Sequence, residues 1–241
     1  MKRLVLGKKK SYQIKAVDSK VIDKIKRNIS PSKHGVDVWN VYDFMYLDNK
    51  DIPVLRPLEI NIPISSKYTI ESKSMKLYLN TFYNKSFKDK KEVTNSLQGV
   101  FKSILKTNIK IKFVNNYLPE PKFISLNNLK TSKTKPNSVL KFNGFRSICP
   151  VTSQPDFANI YIYSGNSIDT DWIINYLISY KDHGDFHEKC IDQIFKDVMA
   201  KYPSNHLEIC GRFQRRGGID INPIRGTHKR ILFGNFREFN Q

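Results

Sequence analysis

Cysteine is scarce. The 241 residues hold three, Cys149, Cys190 and Cys210, with no CxxC pair. An odd count without paired spacing argues against a disulfide framework or an all-cysteine zinc site and fits reduced thiols. Acidic residues are also short: 22 against 41 Lys and Arg, a formal charge of +19. No apolar run reaches the ~18 residues that a membrane-spanning helix needs. The basic start, "MKRLVLGKKKSYQIK", offers only "LVLG" as an apolar stretch, too short for a signal-peptide core. The expectation is a cytoplasmic protein with no membrane partner. Several signatures are missing too. There is no GxGxxG, Walker loop, GxSxG elbow or HExxH, so any nucleotide must be bound by another device.

What is present is globular. Hydrophobic residues make up 39% and aromatics 12%, a composition that buries a core, and the length suits one large domain or two small ones. Surplus positive charge points to anionic partners such as nucleic acid, phosphorylated cofactors or a membrane surface. The lysines, however, are dispersed among Asn and Ile, and compositional bias accounts for them without a dedicated nucleic-acid surface.

Hydrophobic periodicity gives the organisation. "LEINIPI" (58–64), "NIKIKFV" (108–114), "ANIYIYS" (158–164) and "HLEICGRF" (206–213) alternate as half-buried strands. Between the members of each pair lies a helical stretch, "KLYLNTFYNKSFKDKKEVTNSLQGVFKSIL" and "INYLISYKDHGDFHEKCIDQIFKDVMAKY". Tyr78-Leu79 matches Tyr176-Leu177, Phe82 matches Tyr180, and Val93, Leu97 and Val100 match Ile191, Phe195 and Val198. That triplet sits at i, i+4, i+7, one face of a helix. A polar break, "NKSFKDKK" or "KDHGD", divides each stretch into two helices. The reading is an internal duplication into two α+β halves: an N-terminal extension over 1–34, a first half over 35–115, a connector rich in Pro, Lys and Asn over 116–139, and a second half over 140–241.

Four segments could carry chemistry, and each has a plain structural reading beside the chemical one. "RSICPVTSQPDF" (146–157) sets Cys149 directly before Pro150, with Asp156 seven residues on behind a second proline, Pro155. A lone cysteine is usually a small buried hydrophobe; as a nucleophile it needs a held geometry, and Asp156 would suit a general acid. "HGDFHEKC" offers His183, His187 and Cys190, too few converging ligands for zinc. In its "DFHEKC", Asp185 and Glu188 have the spacing of a helix capping box, while Glu188 and His187 could equally face a cleft and take the N–H/NH₂ edge of a purine. "IESKSM" (70–75) places Glu71, Ser72 and Lys73 at a helix start, either as caps or as an anion site. "RFQRRGGIDINP" (212–223) puts Arg212, Arg215 and Arg216 around a Gly217-Gly218 turn, solvated or phosphate-binding.

Taken together and in this order, the segments resemble the NADPH-dependent nitrile reductases known as QueF, the 7-cyano-7-deazaguanine reductases. "ESKSMKLY" (Glu71 to Tyr78) matches the family signature in full, and "CPVTSQPDF", "HGDFHEKC" and "RRGGIDINP" resemble its nucleophile, substrate-edge and cofactor segments. The likeness runs from "GVDVWNVYDF" to about Arg225 and is weakest in the connector. It resembles the longer, bimodular form, which implies two tandem tunnelling-fold (T-fold) domains, antiparallel sheets each covered by two helices. The resemblance implies that Cys149 attacks the nitrile to give a thioimide and that Asp156 protonates its nitrogen. It further implies two hydrides from NADPH and an aminomethyl product on the route to queuosine in tRNA. Ile70, Glu71, Ser72, His187 and Glu188 are implied as substrate residues; Ser72, Lys73, Arg216 and Gly217 as cofactor residues; Phe186 as a ring that stacks on the base. No metal, no direct nucleic-acid contact and a homodimer are also implied. The alternatives are a non-catalytic basic T-fold protein that binds purine or RNA, and a zinc-dependent T-fold cyclohydrolase.

Overall fold

The computed structural model describes residues 19–241. Residues 1–18 of the expected N-terminal extension, with its "LVLG" stretch, lie outside the described residues. The elements run β1 (Lys24–Lys26), β2 (His34–Val41), β3 (Met45–Leu47), β4 (Pro53–Leu55), β5 (Leu58–Pro63), β6 (Tyr68–Ile70), α1 (Ser72–Asn80), α2 (Lys90–Leu105) and β7 (Lys110–Phe113). They continue with β8 (Ile124–Ser125), β9 (Ser138–Ile148), β10 (Pro155–Ser164), α3 (Thr170–Ile178), α4 (His187–Lys201), β11 (Leu207–Phe213) and β12 (Ile219–Gly226). The class is α+β, with mostly antiparallel sheets and four α-helices among the described residues. No helix among them is long and apolar enough to cross a membrane.

The chain divides into two compact units. The first holds the described residues through Ile29, then Trp39–Asn116 and Arg216–Ile219; the second holds Ser30–Val38, Tyr117–Arg215 and Asp220–Gln241. In the first, β5 pairs antiparallel with β7 in the register Leu58↔Phe113 and Ile60↔Ile111. In the second, β10 pairs antiparallel with β11 in the register Ile160↔Gly211 and Ile162↔Ile209. Each unit thus has two antiparallel strands joined through a pair of helices. The four alternating segments all form strands.

Helix faces follow the apolar spacing. In α2 the fully buried residues are Val93, Leu97, Phe101 and Leu105, a strict i+4 stripe. In α4 they are Cys190, Ile191, Ile194, Phe195 and Val198. Val198 is in the core, whereas its counterpart Val100 is only half-buried because the bulkier Phe101 takes the inward position. In the second unit α3 and α4 cover one face of the sheet, sharing a core with Leu140, Phe142, Ile160, Ile162 and Ile209. Gly211 permits the approach of α4, since a Cβ there would stand 2.8 Å from Ile191 Cδ1. The segment 116–139 contributes β8, parallel to β9, and the fully buried Leu126 to the same core.

The opposite face of that sheet is closed by the C-terminal segment. Phe233 and Phe236 pack with Tyr161, Cys210 and Ile224. Glu208 accepts the backbone N–H groups of Leu232 and Phe233 at 2.7 and 2.6 Å. Glu238 accepts from Tyr161 Oη at 2.6 Å and pairs with Lys141 Nζ at 2.5 Å.

Candidate active site

Cys149 follows the last residue of β9 and begins the hairpin to β10. Its N–H donates to Gln154 O at 2.9 Å, and its carbonyl accepts from Ser153 N–H at 2.9 Å, with Ser153 at φ 57°. The ladder of β9 and β10 (Ile148↔Pro155, Ser147↔Asp156) is therefore extended by one residue past the strand end. Side chains alternate across a pleat, and Ser147 and Asp156, paired directly opposite each other, share one face. That is the face turned to α4. Pro155 is the first residue of β10, where its missing N–H costs nothing. The thiol of Cys149 is partly exposed, while Cys190 and Cys210 are buried.

Asp156, only 5% exposed, meets the start of α4. Its Oδ2 lies 3.3 Å from His187 Nε2. The His187 ring stacks flat on Phe213 of β11, centroids 3.9 Å apart and planes at 6°, so the ring cannot swing away. With Nε2 turned to the carboxylate, Nδ1 is left buried without a hydrogen-bond partner. An orphaned buried ring nitrogen costs free energy unless a ligand reaches it, so this atom marks a place for a hydrogen-bonding substrate group. Backbone ties hold the loop before α4 against the nucleophile strand, with Ile148 N–H donating to His183 O at 2.8 Å.

The capping box expected from Asp185 and Glu188 does not form. The residue at the N-cap is Phe186, without a side-chain cap bond, and Glu188 is at the second helical position, buried. Asp185 instead accepts from Phe186 N–H at 2.9 Å and faces Lys189 at 3.3 Å. The helix starts one residue later than the box requires, so Glu188 does not occupy the N3 position. Burial, and then the carboxylate of Asp185, push the Cys190 thiol up to about 12. Among the described residues no group of three or more His, Cys, Asp or Glu could hold a metal ion.

The other predicted residues lie in the first unit. Ile70 ends β6 and is buried. Glu71 caps α1 with its own carboxylate, accepting from Lys73 N–H at 2.9 Å and from Ser74 N–H at 2.7 Å. These helix-start donors are therefore already satisfied, and an anion at this end would be held by the exposed Ser72 hydroxyl and Lys73 ammonium rather than by the backbone. Arg216 and Ile219 exchange backbone bonds at 2.8 and 3.2 Å, closing a turn in which Gly217 and Gly218 have φ 59° and 80°. A Cβ on Gly217 would meet nothing within 4 Å, so the backbone there is open to close approach by a ligand. Each place thus offers exposed donors of the kind that can bind phosphate, the Ser72 hydroxyl and Lys73 ammonium at one and the Arg216 guanidinium and Gly217 backbone at the other. Arg212, named with this turn from the sequence, is instead buried in β11, its Nη2 donating to Gly234 O at 2.7 Å. A cleft of about 350 Å³, lined by Arg212 with Phe157, Asn159, Gln214 and Asn240 among others, contains no other residue named for the site.

Sequence reasoning named Asp156 and His187 separately and missed their contact and the Phe213 ring beneath it. No periodicity signals a pairing across a helix and two strands. Asp43 and Lys76, ion-paired beside the Gly217–Gly218 turn, were also missed, although Lys76 lies inside "ESKSMKLY".

Two family models match separate stretches of the chain, neither of which includes Cys149. Residues 14–113 match the family model described as "Nitrile reductase, 7-cyano-7-deazaguanine-reductase N-term", and residues 155–231 match that of a "QueF-like protein". A protein of Coxiella burnetii named NADPH-dependent 7-cyano-7-deazaguanine reductase is 33% identical over 88% of this chain and 83% of its own length. Proteins of the same name from Desulfotalea psychrophila and Polaromonas sp. are 35% and 30% identical, over 80% and 88% of this chain and 79% and 86% of theirs.

Proposed function

The chain belongs to the 7-cyano-7-deazaguanine nitrile reductase family, and we propose that it reduces the nitrile of 7-cyano-7-deazaguanine to the aminomethyl group with NADPH, through a thioimide on Cys149, as a step toward queuosine in tRNA. The observation that carries this reading is the Asp156–His187 pair, with its orphaned Nδ1, on the strand pair whose end carries the one partly exposed cysteine.

The chemistry balances on these residues. Adding Cys149 S–H across C≡N forms one S–C bond and one N–H bond, so the thiol proton must travel from sulfur to nitrogen. Asp156 takes it from the thiol and gives it to the nitrile nitrogen. His187, its Nε2 3.3 Å from Asp156 Oδ2, holds the carboxylate in place for this transfer. When bound, NADPH supplies two hydrides in succession, and each reduction also needs one proton, which the same pair can deliver. Between them the carbon–sulfur bond breaks and Cys149 leaves as thiolate. His187 Nδ1 and the buried Glu188 carboxylate accept hydrogen bonds from the N–H and NH₂ groups of the deazaguanine edge. For Ile70, Glu71 and Ser72 the assignment to substrate rests on the family resemblance, as does the stacking role of Phe186. Ser72, Lys73, Arg216 and Gly217 receive the cofactor phosphates. Tandem T-folds, a homodimer and a cytoplasmic setting complete the proposal, again by family.

The test is NADPH absorbance. Oxidation that starts only when the cyano-deazaguanine is added, at two NADPH per nitrile, supports the reading; oxidation that ignores the nitrile, or none at all, overturns it.

A further inference from the structure

The Gly217–Gly218 turn is held from outside its own hairpin. Tyr42 donates its N–H to Gly218 O at 2.9 Å. The next residue, Asp43, lays its carboxylate on the open side of Gly218, where a Cβ would stand 2.5 Å from Oδ2 and 2.6 Å from Cγ and Oδ1. The space that a side chain would fill is thus occupied by a carboxylate, at a residue whose φ of 80° already favours glycine. The same carboxylate forms an ion pair with Lys76 of α1. Lys76 follows Ser72 and Lys73 by one turn, so one carboxylate links the two segments that carry the proposed cofactor residues.

A negative charge beside a phosphate-binding turn is unfavourable on Coulomb grounds alone. Its presence is explained if it does something that neutral groups do less well. Two adjacent glycines sample many backbone conformations, and a turn left free would lose that freedom on binding, which weakens affinity. The Lys76 ammonium offsets the charge while the carboxylate braces the turn.

We propose that Asp43 is a positioning residue for NADPH, a role that rests on the function proposed above. With Lys76 it holds the Gly217–Gly218 turn in its left-handed form and fixes it against the start of α1. Asp43 does not itself touch the cofactor.

The two possible roles of the charge have opposite signs, and this makes the proposal testable by direct binding. NADPH fluorescence is titrated with protein in the absence of the nitrile. Positioning predicts that Asp43→Ala raises the NADPH Kd about tenfold, the scale of a displaced binding group. Asp43→Asn keeps the shape of the brace but loses most of the ion pair, so its Kd falls between those of the wild type and Asp43→Ala. In turnover the same order appears in KM for NADPH, with kcat at saturating NADPH changed less than about twofold. A bystander charge predicts the reverse: both variants bind NADPH as tightly as the wild type or more tightly, and that result overturns the proposal. Asp43→Asn carries the test alone if Asp43→Ala does not fold, since a Kd above the wild-type value supports positioning and one at or below it overturns it. Wild-type protein that binds no NADPH would instead overturn the proposed function, so the two failures are distinct.

Discussion

Burial sorts the three thiols. Cys190 and Cys210 lie in opposite cores of the second unit, and burial pushes both up to about 12. The thiolate is the reactive form, so neither competes with Cys149 near neutral pH. Iodoacetamide on native protein is expected to add one carbamidomethyl group, on Cys149, with the others modified only after unfolding; peptide mass mapping checks this. Asp156 is expected to matter for protons rather than for binding. Replacing it with Asn keeps the shape but cannot carry the thiol proton, and turnover is expected to fall about a hundredfold or more with the substrate KM little changed. A rise in KM at unchanged kcat would move Asp156 out of the proton path. At this scale the sequence supplies the reacting types but not their contacts. Cys149 and Asp156 can be named from one hairpin, because a ladder brings near neighbours together. The stack of His187 on Phe213 cannot, because it depends on how α4 crosses β11.

The elements show where periodic reasoning holds and where it fails. Strands and helix pairs follow from alternation and i+4 spacing, which act within one element. The Val100 match fails locally because Phe101, the larger side chain, takes the inward place in α2. The capping box fails because α4 starts one residue later than the box requires, with Phe186 at its N-cap. The C-terminal segment had no periodic signal at all; Phe233, Phe236 and Glu238 are spaced for one particular sheet face, and only the fold reveals it. Glu238 is 4% exposed and meets Tyr161, Asn159 and Lys141. Removing one partner of a buried ion pair leaves the other uncompensated. Glu238→Ala is therefore expected to lower stability by about 3 kcal/mol, read as a drop in the urea midpoint, with Glu120 keeping Lys141 partly satisfied at 2.7 Å. A change below about 0.5 kcal/mol, the size usual for a surface site, would show that the segment is not anchored there.

For the whole molecule, the charge of +19 acts over distance more than at contacts. A positive field raises the arrival rate of an anionic cofactor and fades as salt shortens the Debye length to ~10 Å at 0.1 M. KM for NADPH is expected to rise with ionic strength more steeply than KM for the neutral nitrile substrate. Stability should also depend on pH through His206. Burial, and then the neighbouring His228, lower its pKa below the ordinary 6.5. The folded state thus prefers the neutral ring. Its contribution is present above pH 6.5 and is lost as pH falls through the interval down to the folded value. The thermal midpoint is expected to decline there, and His206→Phe to flatten the decline.

The central claim concerns one bond, between Cys149 and the nitrile carbon. Intact-mass spectrometry of the protein incubated with 7-cyano-7-deazaguanine and no NADPH tests it most directly. The account predicts a mass gain of one substrate per chain, absent in Cys149→Ala and retained in Cys190→Ala. An adduct that survives in Cys149→Ala, or no adduct on the wild-type chain, would contradict it.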